Sequence, residues 1–583
     1  MEGRQVMAPR NKIPLLRIGV LIIVGLAVIK FAYKSRPTHT IVASLRIEEK
    51  SAKESKDNFF WGKAGEPQEN SDKRELPPEP PNEMNAPVDE NLPLKKKGVA
   101  KDFSGIQLRL VHLDLKGAAP KVSYLEQIFP LLSKMGANGL LIEYEDMFPY
   151  SGELEILKSP YAYSKEDIEK ILHLAEINKL EVVPLVQTFG HMEYVLKHEN
   201  YRSLREVEQY PNSINPHRAE TMPLVKKILG QVLELHPMAS FVHIGADEVF
   251  HLGEGQDSKT WLNSNNGDLG KMFLAHVKEL LNFLHSHYPD KYALMWDDML
   301  RKLSVENIKD ANISKSVSPV LWIYDQNLNT QQTDKLIGKY QDCGFPSVWF
   351  ASAFKGASGP DQMWTPIGLH MNNHLQWKQV IDSMHKFPKI RYGGIAMTGW
   401  QRYDHYSVLC ELLPVALPSL VVCLRAIQHG PLTEESKTEI NQILGFSKMD
   451  LKKNICDGNG AFPGAEIYRM VRIINDDLKK KVREIMEGDS EIRAWFSRYH
   501  RKHRFGNPHK METFRDKVLK THEEWETLTD SLRVQLETIY FPDTVEEWME
   551  ENVNLHLDAL RKMAKDFKEI LELKAQPKAV LKK

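Results

Sequence analysis

Cysteine is scarce in this sequence. The 583 residues include four, namely Cys343, Cys410, Cys423 and Cys456. Neither a Cys-x-x-Cys pair nor a Cys/His cluster occurs, so the spacing of a structural zinc site is missing. So few cysteines in so long a chain also do not make the disulfide framework of a small secreted domain. We therefore expect these residues to be buried thiols.

An excess of charge of either sign is also missing. The chain has 77 basic and 78 acidic residues, which gives a net charge of −1 at pH 7. Nucleic-acid-binding proteins need a basic surface to neutralise phosphates, so this balance gives no support for nucleic acid as a partner. The hydrophobic fraction of 42% is normal for a globular protein. A chain of this length exceeds one ordinary core, so we expect two or more folded units.

An ideal membrane-spanning run of about 20 consecutive apolar residues is lacking. Residues 18–29 are uncharged, however, and with their flanks they make residues 13–33 mostly apolar. No small-residue cleavage site follows, which disfavours a removed signal peptide. We predict that residues 1–33 form a single-pass membrane anchor, with the N-terminus in the cytosol. The alternative is a signal-like or merely apolar extension without a membrane role.

Aromatic and other apolar residues are few in residues 34–103, which are rich in Pro, Glu, Asn and Lys. Such a segment cannot bury enough apolar surface to offset the entropy lost on ordering. We predict a disordered stem that spaces the anchor from the folded part.

Short β-favouring runs are abundant beyond the stem, with helical patterns between them. There are eight runs, which begin at Gln107, Gly139, Glu181, Phe241, Tyr292, Pro319, Ser347 and Gly393. This alternation predicts an α/β fold, a (β/α)8 TIM barrel over residues 104–430. Residues 431–583 have apolar positions at helical spacing and no strand signal, so we expect a helical C-terminal region packed on the barrel. The sequence sets no oligomeric state.

Two adjacent acids, Asp247 and Glu248, end the fourth run, "FVHIGADE". The ends of the strands are where a TIM barrel has its active site. Two carboxyl groups so close repel each other, and the more buried one keeps its proton near neutral pH. The pair could therefore supply a general acid beside a charged base or stabiliser. It could equally cap the next helix or bind a cation.

Tryptophans are found at the ends of four other runs. They are Trp296, Trp322, Trp349 and Trp400. Aromatic faces stack on the apolar C–H faces of sugar rings, and acids bind sugar hydroxyls. Packing in the core is the simpler interpretation of each tryptophan alone, but four at strand ends favour a carbohydrate site.

The stretch "HIGADE", residues 243–248, resembles the His-x-Gly-(Gly/Ala)-Asp-Glu motif of glycoside hydrolase family 20, the β-N-acetylhexosaminidases. Further similar stretches are "RLVHLDLKGA", "NGLLIEYEDMFPY", "PLVQTFGHMEYVLKH", "SAFKGASGP" and "TGWQRYDHYSVLCELLP". The resemblance covers about residues 107–463. It implies an exo-acting hydrolase that removes terminal non-reducing N-acetyl-D-hexosamine (GalNAc or GlcNAc) from a glycan or glycoconjugate. No metal and no cofactor is implied.

The resemblance also implies a retaining mechanism in which the substrate's own acetamido oxygen is the nucleophile and an oxazolinium ion forms. Glu248 would protonate the leaving oxygen and later deprotonate water. Asp247 would orient the acetamido group and stabilise the positive charge.

Substrate-binding residues are implied by the same resemblance. Arg109, five residues before the first-strand Asp114, would grip the sugar. Glu145 and Asp146 would bind hydroxyls. His191 would bond Glu145 or Asp146 and also the acid Glu248.

Trp296, Trp322 and Trp400 fall where the family has the tryptophans of its acetamido pocket. One departure is the seventh strand, where the family often has a tyrosine that donates to the acetamido oxygen. This chain has "WFASAFKG" there, with Phe354, and we expect Tyr324 on the sixth strand as the substitute. The small domain that often precedes the barrel is not expected in the polar stem.

Two other functions stay open from the sequence. A metal-dependent barrel hydrolase could use His112, His191, His243 and the acids, although the first strand lacks His-x-His. A membrane-tethered protein could bind N-acetylhexosamine without turning it over. The anchor predicts a lumenal or extracellular catalytic domain, at the Golgi or cell surface, whereas soluble relatives in the family imply the cytoplasm and nucleus. The single sequon, at Asn312, would distinguish the two locations.

Overall fold

Short parallel strands form the centre of the molecule, as seen in the computed structural model, which describes residues 107–578. The strands of this part of the chain are β1 Leu108–Asp114, β2 Gly139–Glu143, β3 Glu181–Leu185, β4 Arg205–Val207, β5 Tyr210–Ile214, β6 Phe241–His243, β7 Tyr292–Trp296, β8 Val317–Trp322, β9 Ser347–Lys355, β10 Arg391–Gly399, β11 Lys448–Asp450 and β12 Ile455–Asp457. Eight of them close into a parallel barrel in the ring order β1, β2, β3, β6, β7, β8, β9 and β10.

Helices connect the barrel strands and continue to the end of the described residues. They are α1 Val122–Lys134, α2 Lys165–Ile177, α3 Glu193–Leu196, α4 Thr221–Leu235, α5 Gln256–Ser264, α6 Leu269–His287, α7 Val305–Ala311, α8 Thr330–Asp342, α9 Ile367–Asp382, α10 Leu413–His429, α11 Glu434–Leu444, α12 Ala465–Ile473, α13 Lys479–Arg483, α14 Ser490–Trp495, α15 Arg498–His503, α16 Pro508–Glu512, α17 Arg515–Ile539, α18 Pro542–Met549 and α19 Leu555–Glu572. Single π-helical turns lie at Ile474–Leu478, Glu484–Gly488 and Glu550–Asn554.

Local signals explain where these helices begin and end. At α2, the Ser164 hydroxyl accepts the N–H of Asp167, and the Asp167 carboxylate accepts the N–H of Ser164, which is a capping box. The buried face of α2 includes Ile168 and Ile171, at helical spacing. Helix α1 stops just before Gly136, whose φ of 101° suits glycine, as the sequence predicts.

Side chains alternate across the barrel strands, so one set fills the interior and the other packs against the helices. The interior residues form one apolar cluster, which includes Leu108, Leu110, Leu141, Val183, Leu185, Leu294, Val320 and Ala396. Trp296, Trp322 and Trp400 join this cluster from the carboxyl ends of the strands. The interior is therefore a packed core with an aromatic upper layer, and it leaves the polar site to the carboxyl end.

All eight predicted strands form in the predicted order, which confirms the TIM barrel. Two antiparallel hairpins were not expected. The pair β4–β5 lies in the connection from β3 to β6, and β11–β12 lies in residues 431–583, where we expected helices alone. These strands are three to five residues long and lack a sustained apolar alternation, so the sequence pattern gives no signal for them.

The helical C-terminal region is confirmed, and it packs on the barrel. Helix α12 lies against α10, and α17 lies against α12 and α1. The Lys121 N–H donates to the Ile539 carbonyl at 2.6 Å, and the Tyr124 hydroxyl donates to the Pro463 carbonyl at 3.0 Å. The start of α1 is thus attached to this region on two sides.

The predicted anchor (residues 1–33) and stem (residues 34–103) lie outside the described residues. Within residues 107–578, no helix is both long and apolar enough to cross a membrane. The four cysteines are buried free thiols, as expected.

Candidate active site

The acid pair lies in the turn that follows β6, at the carboxyl end of the barrel. Within this turn Gly245, Ala246 and Glu248 have φ angles of 62°, 64° and 43°. A left-handed backbone is costly for residues other than glycine, and such strain gathers at functional sites. Asp247 is buried, whereas 38% of the Glu248 side chain is exposed. Neither acid caps the next helix, because the N-cap of α5 is Gly255.

Two neighbouring loops hold this turn in place. Asp298, just after β7, accepts the backbone N–H of Glu248 at 3.1 Å through Oδ2. Gly190, in the loop after β3, contacts the turn from the other side. A Cβ atom on Gly190 would be 2.0 Å from the carbonyl oxygen of Asp247, so only glycine permits this approach of the two backbones.

His191 lies between the two acids. Its Nε2 is 3.2 Å from Glu248 Oε2 and 3.6 Å from Asp247 Oδ2. Its buried Nδ1 has no hydrogen-bond partner among the described residues. The structure therefore has the expected contact with Glu248, but the expected bond to Glu145 or Asp146 is wrong. Those two acids follow β2 and have other partners.

The charges of His191, Asp247 and Glu248 shift one another's pKa values. Burial alone would lower the pKa of His191, but the charge of Asp247 and the hydrogen bond to Glu248 raise it well above its usual value. Burial alone would raise the pKa of Glu248, but the hydrogen bond from His191 and its charge hold it below its usual value. Near neutral pH the site thus holds an imidazolium beside the Glu248 carboxylate.

Asp247 behaves differently from its neighbour. Burial raises the pKa of the Asp247 carboxyl to about 7, with the charge of His191 opposing the rise and those of Asp298 and Glu248 adding to it. Its Oδ1 atom is buried and has no hydrogen-bond partner among residues 107–578. The more buried acid therefore has the higher pKa, as the sequence analysis expected. Its unpartnered oxygen is available to a ligand N–H or O–H.

A buried lysine that the sequence analysis missed organises the opposite wall. Lys116 Nζ is 3.1 Å from Asp114, 3.4 Å from Glu143 and 3.9 Å from Glu145, and it lies 4.9 Å from the ring centre of Trp400. Burial alone would lower the pKa of Lys116, but the three carboxylates raise it above its usual value. The lysine therefore stays protonated and compensates their charge. One lysine after a strand gives no signal in the sequence.

Glu145 and Asp146 are held by the loop after β10. His405 Nδ1 lies 2.9 Å from Glu145 Oε2, and its Nε2 lies 3.6 Å from Asp146 Oδ2. The Gly117 N–H donates to Asp146 at 3.0 Å, and Lys197 Nζ is 3.5 Å from the same carboxylate. Burial raises the pKa of Glu145 to about 7 against the charges of Lys116 and His405. Its Oε1 atom is buried and has no hydrogen-bond partner in the described residues.

Three of the predicted tryptophans lie in the upper layer of the interior. The ring centre of Trp296 is 4.2 Å from His243 and 6.0 Å from Trp400. Trp322 stacks on Tyr324 at 5.4 Å. The indole N–H groups of Trp296 and Trp322 are buried without an acceptor in the described part of the chain. The structure thus brings these rings together in one apolar wall.

Tyr324 follows β8 and stacks on Trp322, whereas Phe354 offers no polar group. Burial raises the pKa of Tyr324, although hydrogen bonds with the side chains of Thr398 and Trp400 oppose the rise. The negative charges of Asp247 and Glu248 add to the rise. Phe354 is fully buried in the main apolar core.

Arg109 is not part of this site. It is the second residue of β1, at the opposite end of the strand from Asp114, and its Nε donates to the Gly136 carbonyl at 2.7 Å. Asp114 is five positions after Arg109, and an odd separation also gives the two side chains opposite faces of the strand. The expectation that Arg109 grips a sugar at the carboxyl end is therefore wrong.

The metal-dependent alternative gains no support from the geometry. Within residues 107–578 no group of three or more His, Cys, Asp or Glu side chains is arranged to hold a metal ion. His112 contacts Glu143 at 3.2 Å and His243 accepts the N–H of Gly245 at 3.0 Å, so each has a structural partner.

A closed parallel barrel with paired carboxyl groups and tryptophan walls at its carboxyl end defines a class of protein, the barrel glycoside hydrolases. Comparison with known proteins narrows the class. The family model "Glycosyl hydrolase family 20, catalytic domain" matches residues 126–336.

Two similar proteins are named Hexosaminidase D. The one from Homo sapiens is 47% identical over 464 residues, which cover 80% of this chain and 95% of that protein. The one from Bos taurus is 51% identical over 343 residues, which cover 59% of this chain and 98% of that protein. Among solved structures, a β-N-acetylhexosaminidase from Bacteroides fragilis matches with a TM-score of 0.43 and 16% identity, over 62% of this chain and 73% of that one.

The chain belongs to glycosyl hydrolase family 20 and is a glycoside hydrolase. The resemblance to this family found in the sequence motifs is confirmed.

Gly190→Ala tests the close approach behind the acid pair. The added methyl group overlaps the Asp247 carbonyl, so the turn must move. We expect a loss of about 1–3 kcal/mol in the free energy of unfolding. A shift of about 1 Å should lower glycosidase activity roughly 100-fold. Thermal unfolding and initial rates measure the two effects.

Gly338→Ala, in helix α8, is the matched control, because a Cβ there would have only an ordinary 3.7 Å contact with the Phe387 side chain. It should keep full activity and gain slightly in stability. Wild-type activity and stability in Gly190→Ala would contradict the packing described here.

Proposed function

We propose that this chain hydrolyses the terminal, non-reducing, β-linked N-acetyl-D-hexosamine of a glycan or glycoconjugate, with GalNAc or GlcNAc as the sugar. One observation carries the proposal. His191 bridges Asp247 and Glu248, and it leaves one buried Asp247 oxygen without a partner. Membership of family 20 and the name of the two relatives, Hexosaminidase D, support the same substrate class.

The acid pair suits a retaining reaction in which the substrate supplies the nucleophile. The acetamido carbonyl oxygen attacks the anomeric carbon as the bond to the leaving oxygen breaks, and an oxazolinium ion forms. Asp247 accepts the acetamido N–H through its free oxygen and stabilises the positive charge. Glu248 protonates the leaving oxygen. It then takes a proton from water, which attacks the anomeric carbon from the face that the leaving group vacated.

His191 supplies the proton in this scheme. In the free protein the proton resides on His191, because the pKa of His191 is raised and that of Glu248 is lowered. A bound glycan would cover the exposed part of the Glu248 side chain and remove its water. Desolvation favours the neutral carboxyl group, so the proton moves across the 3.2 Å contact to Glu248.

The tryptophan wall suits the acetamido methyl group and the sugar face. Trp296, Trp322 and Trp400 belong to one apolar cluster at the carboxyl ends of the strands, and the acetamido group would pack against it in position for attack. Tyr324, whose raised pKa keeps it protonated, is the proposed donor to the acetamido oxygen. Glu145 and Asp146 are the proposed hydroxyl binders on the opposite wall.

Glu248→Gln tests the acid role. Glutamine cannot donate a proton, so hydrolysis of a β-linked N-acetylhexosamine disaccharide should fall by roughly 10²–10⁴-fold. Binding of free N-acetylhexosamine, measured by calorimetry, should persist. Glu254→Gln, a surface acid paired with His251 at 3.1 Å on the same loop, should keep wild-type rates.

Asp247→Asn should also slow the reaction, and in addition weaken the binding of an oxazoline-like inhibitor. Full activity in Glu248→Gln would contradict the role assignment. A wild-type chain that binds the sugar but hydrolyses none would favour the alternative of a binding protein without turnover.

Asp298→Asn tests the electrostatics through pH. Asp247 must be ionised to stabilise a cation, so kcat/KM should fall as the pH drops through its pKa of about 7. Removing the negative charge of Asp298 lowers that pKa, and the acid limb should move to lower pH. Asparagine can still accept the Glu248 N–H through its side-chain oxygen.

Asp290→Asn, at the other end of the same strand, is the control and should leave the acid limb in place. An unshifted acid limb in Asp298→Asn would show that Asp247 does not set it.

The membrane anchor and a lumenal catalytic domain stay a prediction. Asn312 follows the last residue of α7, has a left-handed backbone conformation and is exposed to solvent. Its sequon is therefore accessible. If the barrel is lumenal, the chain expressed in animal cells should lose one N-glycan on endoglycosidase treatment. Ser314→Ala should remove that glycan without changing Asn312. A chain without the glycan would favour the cytoplasm and nucleus.

A further inference from the structure

The helical C-terminal region reaches the rim of the site through one ion pair. Glu547, on α18, binds the guanidinium of Arg402 with both carboxylate oxygens, and its Oε2 is 2.5 Å from Nη2. Arg402 is 8% exposed and lies two residues after Trp400. A buried guanidinium is costly unless its charge and its donors have partners, and Glu547 supplies the charge.

The other N–H groups of Arg402 donate hydrogen bonds to two further segments of the chain. Its Nε donates to the Lys116 carbonyl at 3.0 Å, and Nη1 donates to the Ser407 carbonyl at 2.7 Å. The first acceptor is in the loop after β1 and the second is at the end of the loop after β10. Arg402 therefore joins three parts of the chain, and Glu547 fixes the orientation of its planar fork.

The loop at residues 400–407 carries groups of the proposed site. It begins with Trp400, part of the tryptophan wall, and it includes His405, which is 2.9 Å from Glu145. The Gln401 N–H donates to Asp114 at 2.7 Å, so the start of the loop is fixed on the barrel. Beyond that point, the loop is held by the contacts of Arg402 and His405 and by the Tyr403 hydroxyl, which accepts the Gly359 N–H at 3.1 Å.

The same C-terminal region has other contacts near this rim. Pro120 and Tyr540 form an isolated antiparallel bridge. The Tyr540 hydroxyl accepts the N–H of Leu413, the first residue of α10, at 3.2 Å. The region is therefore attached to the barrel independently of Glu547, so removing the Glu547 charge should not detach it.

We propose that Glu547 is a positioning residue for the site. It acts through Arg402 to hold residues 400–407, and hence Trp400 and His405, in the arrangement that receives the sugar. This rests on the proposed function for its effect on substrate, but not for its effect on the loop. The acids and His191 lie on other loops, so the proposed proton transfers do not depend on Glu547.

Glu547→Gln is the test, and Glu546→Gln is the matched control. Glu546 is the preceding residue on the same helix, but its carboxylate is 65% exposed and pairs with Arg533 at 3.1 Å on the surface. Amide hydrogen exchange, followed by mass spectrometry, reports on residues 400–407 without any substrate. In Glu547→Gln we expect exchange in this segment to rise at least tenfold, with no rise in Glu546→Gln.

Steady-state kinetics on a β-linked N-acetylhexosamine disaccharide are the second readout. We expect KM to rise about tenfold in Glu547→Gln and kcat to stay within threefold, because binding groups move while the acids do not. The thermal midpoint of Glu547→Gln should be lower than that of Glu546→Gln, because the buried Arg402 loses its compensating charge, but unfolding should stay cooperative. Arg402→Lys keeps the charge but loses the fork, and it should give the same exchange pattern.

Unchanged exchange at residues 400–407 in both Glu547→Gln and Arg402→Lys would overturn the proposal. Faster exchange throughout the chain in both variants would also overturn it, because Glu547 would then be a general stabilising residue. If the wild-type chain hydrolyses no N-acetylhexosaminide, the proposed function fails, and the exchange comparison still decides the role of Glu547.

Discussion

Three ionisable groups share one end of this barrel, and their mutual charge balance is the constraint on which the site depends. Asp247 is buried and Glu248 is half-buried, and two carboxylates in such a place would repel each other. The imidazolium of His191, within 3.2 Å of one and 3.6 Å of the other, makes the arrangement tolerable. This arrangement of the three groups requires a left-handed backbone at Ala246 and Glu248. Such a strained conformation persists only because contacts with the surrounding loops hold it.

A second group of buried acids, at the ends of β1 and β2, is also stabilised by a cation. Lys116 lies among Asp114, Glu143 and Glu145 and also faces the ring of Trp400. Each cation is thus shared by several acids, and both cations sit above an apolar barrel core. Polar groups fixed in this way need little reorganisation when charge develops on a bound sugar, which is the general source of electrostatic catalysis. The packed barrel core supports the site from below, and the loops after the strands carry its charged groups.

The sequence predicts the barrel well because buried parallel strands are continuous apolar runs, and the helices between them have clear periodicity. It points to the acid pair because the pair ends a strand of the barrel and belongs to a motif that resembles that of a known family, whereas adjacent acids alone could also cap a helix or bind a cation. The sequence-based prediction is wrong for Arg109, because the family's spacing of arginine and aspartate does not account for which face of the strand each side chain occupies. It is also wrong for the expected bond of His191 to Glu145 or Asp146. It gives no signal for Lys116, a single lysine whose importance comes only from the carboxylates that other strands bring near it.

Contacts between distant parts of the sequence decide the rest of the site. The local motif at residues 243–248 accounts for the acids, yet Glu145 depends on His405, and the loop of His405 depends on Arg402 and Glu547. Such pairings cost loop-closure entropy that only the packed barrel and its C-terminal helices can offset. The helical region is therefore better regarded as a support for the loop at residues 400–407 than as an appendage. Substrate selectivity within this architecture should follow from changes in that wall, because the acid pair is supported by the strands and loops on the other side.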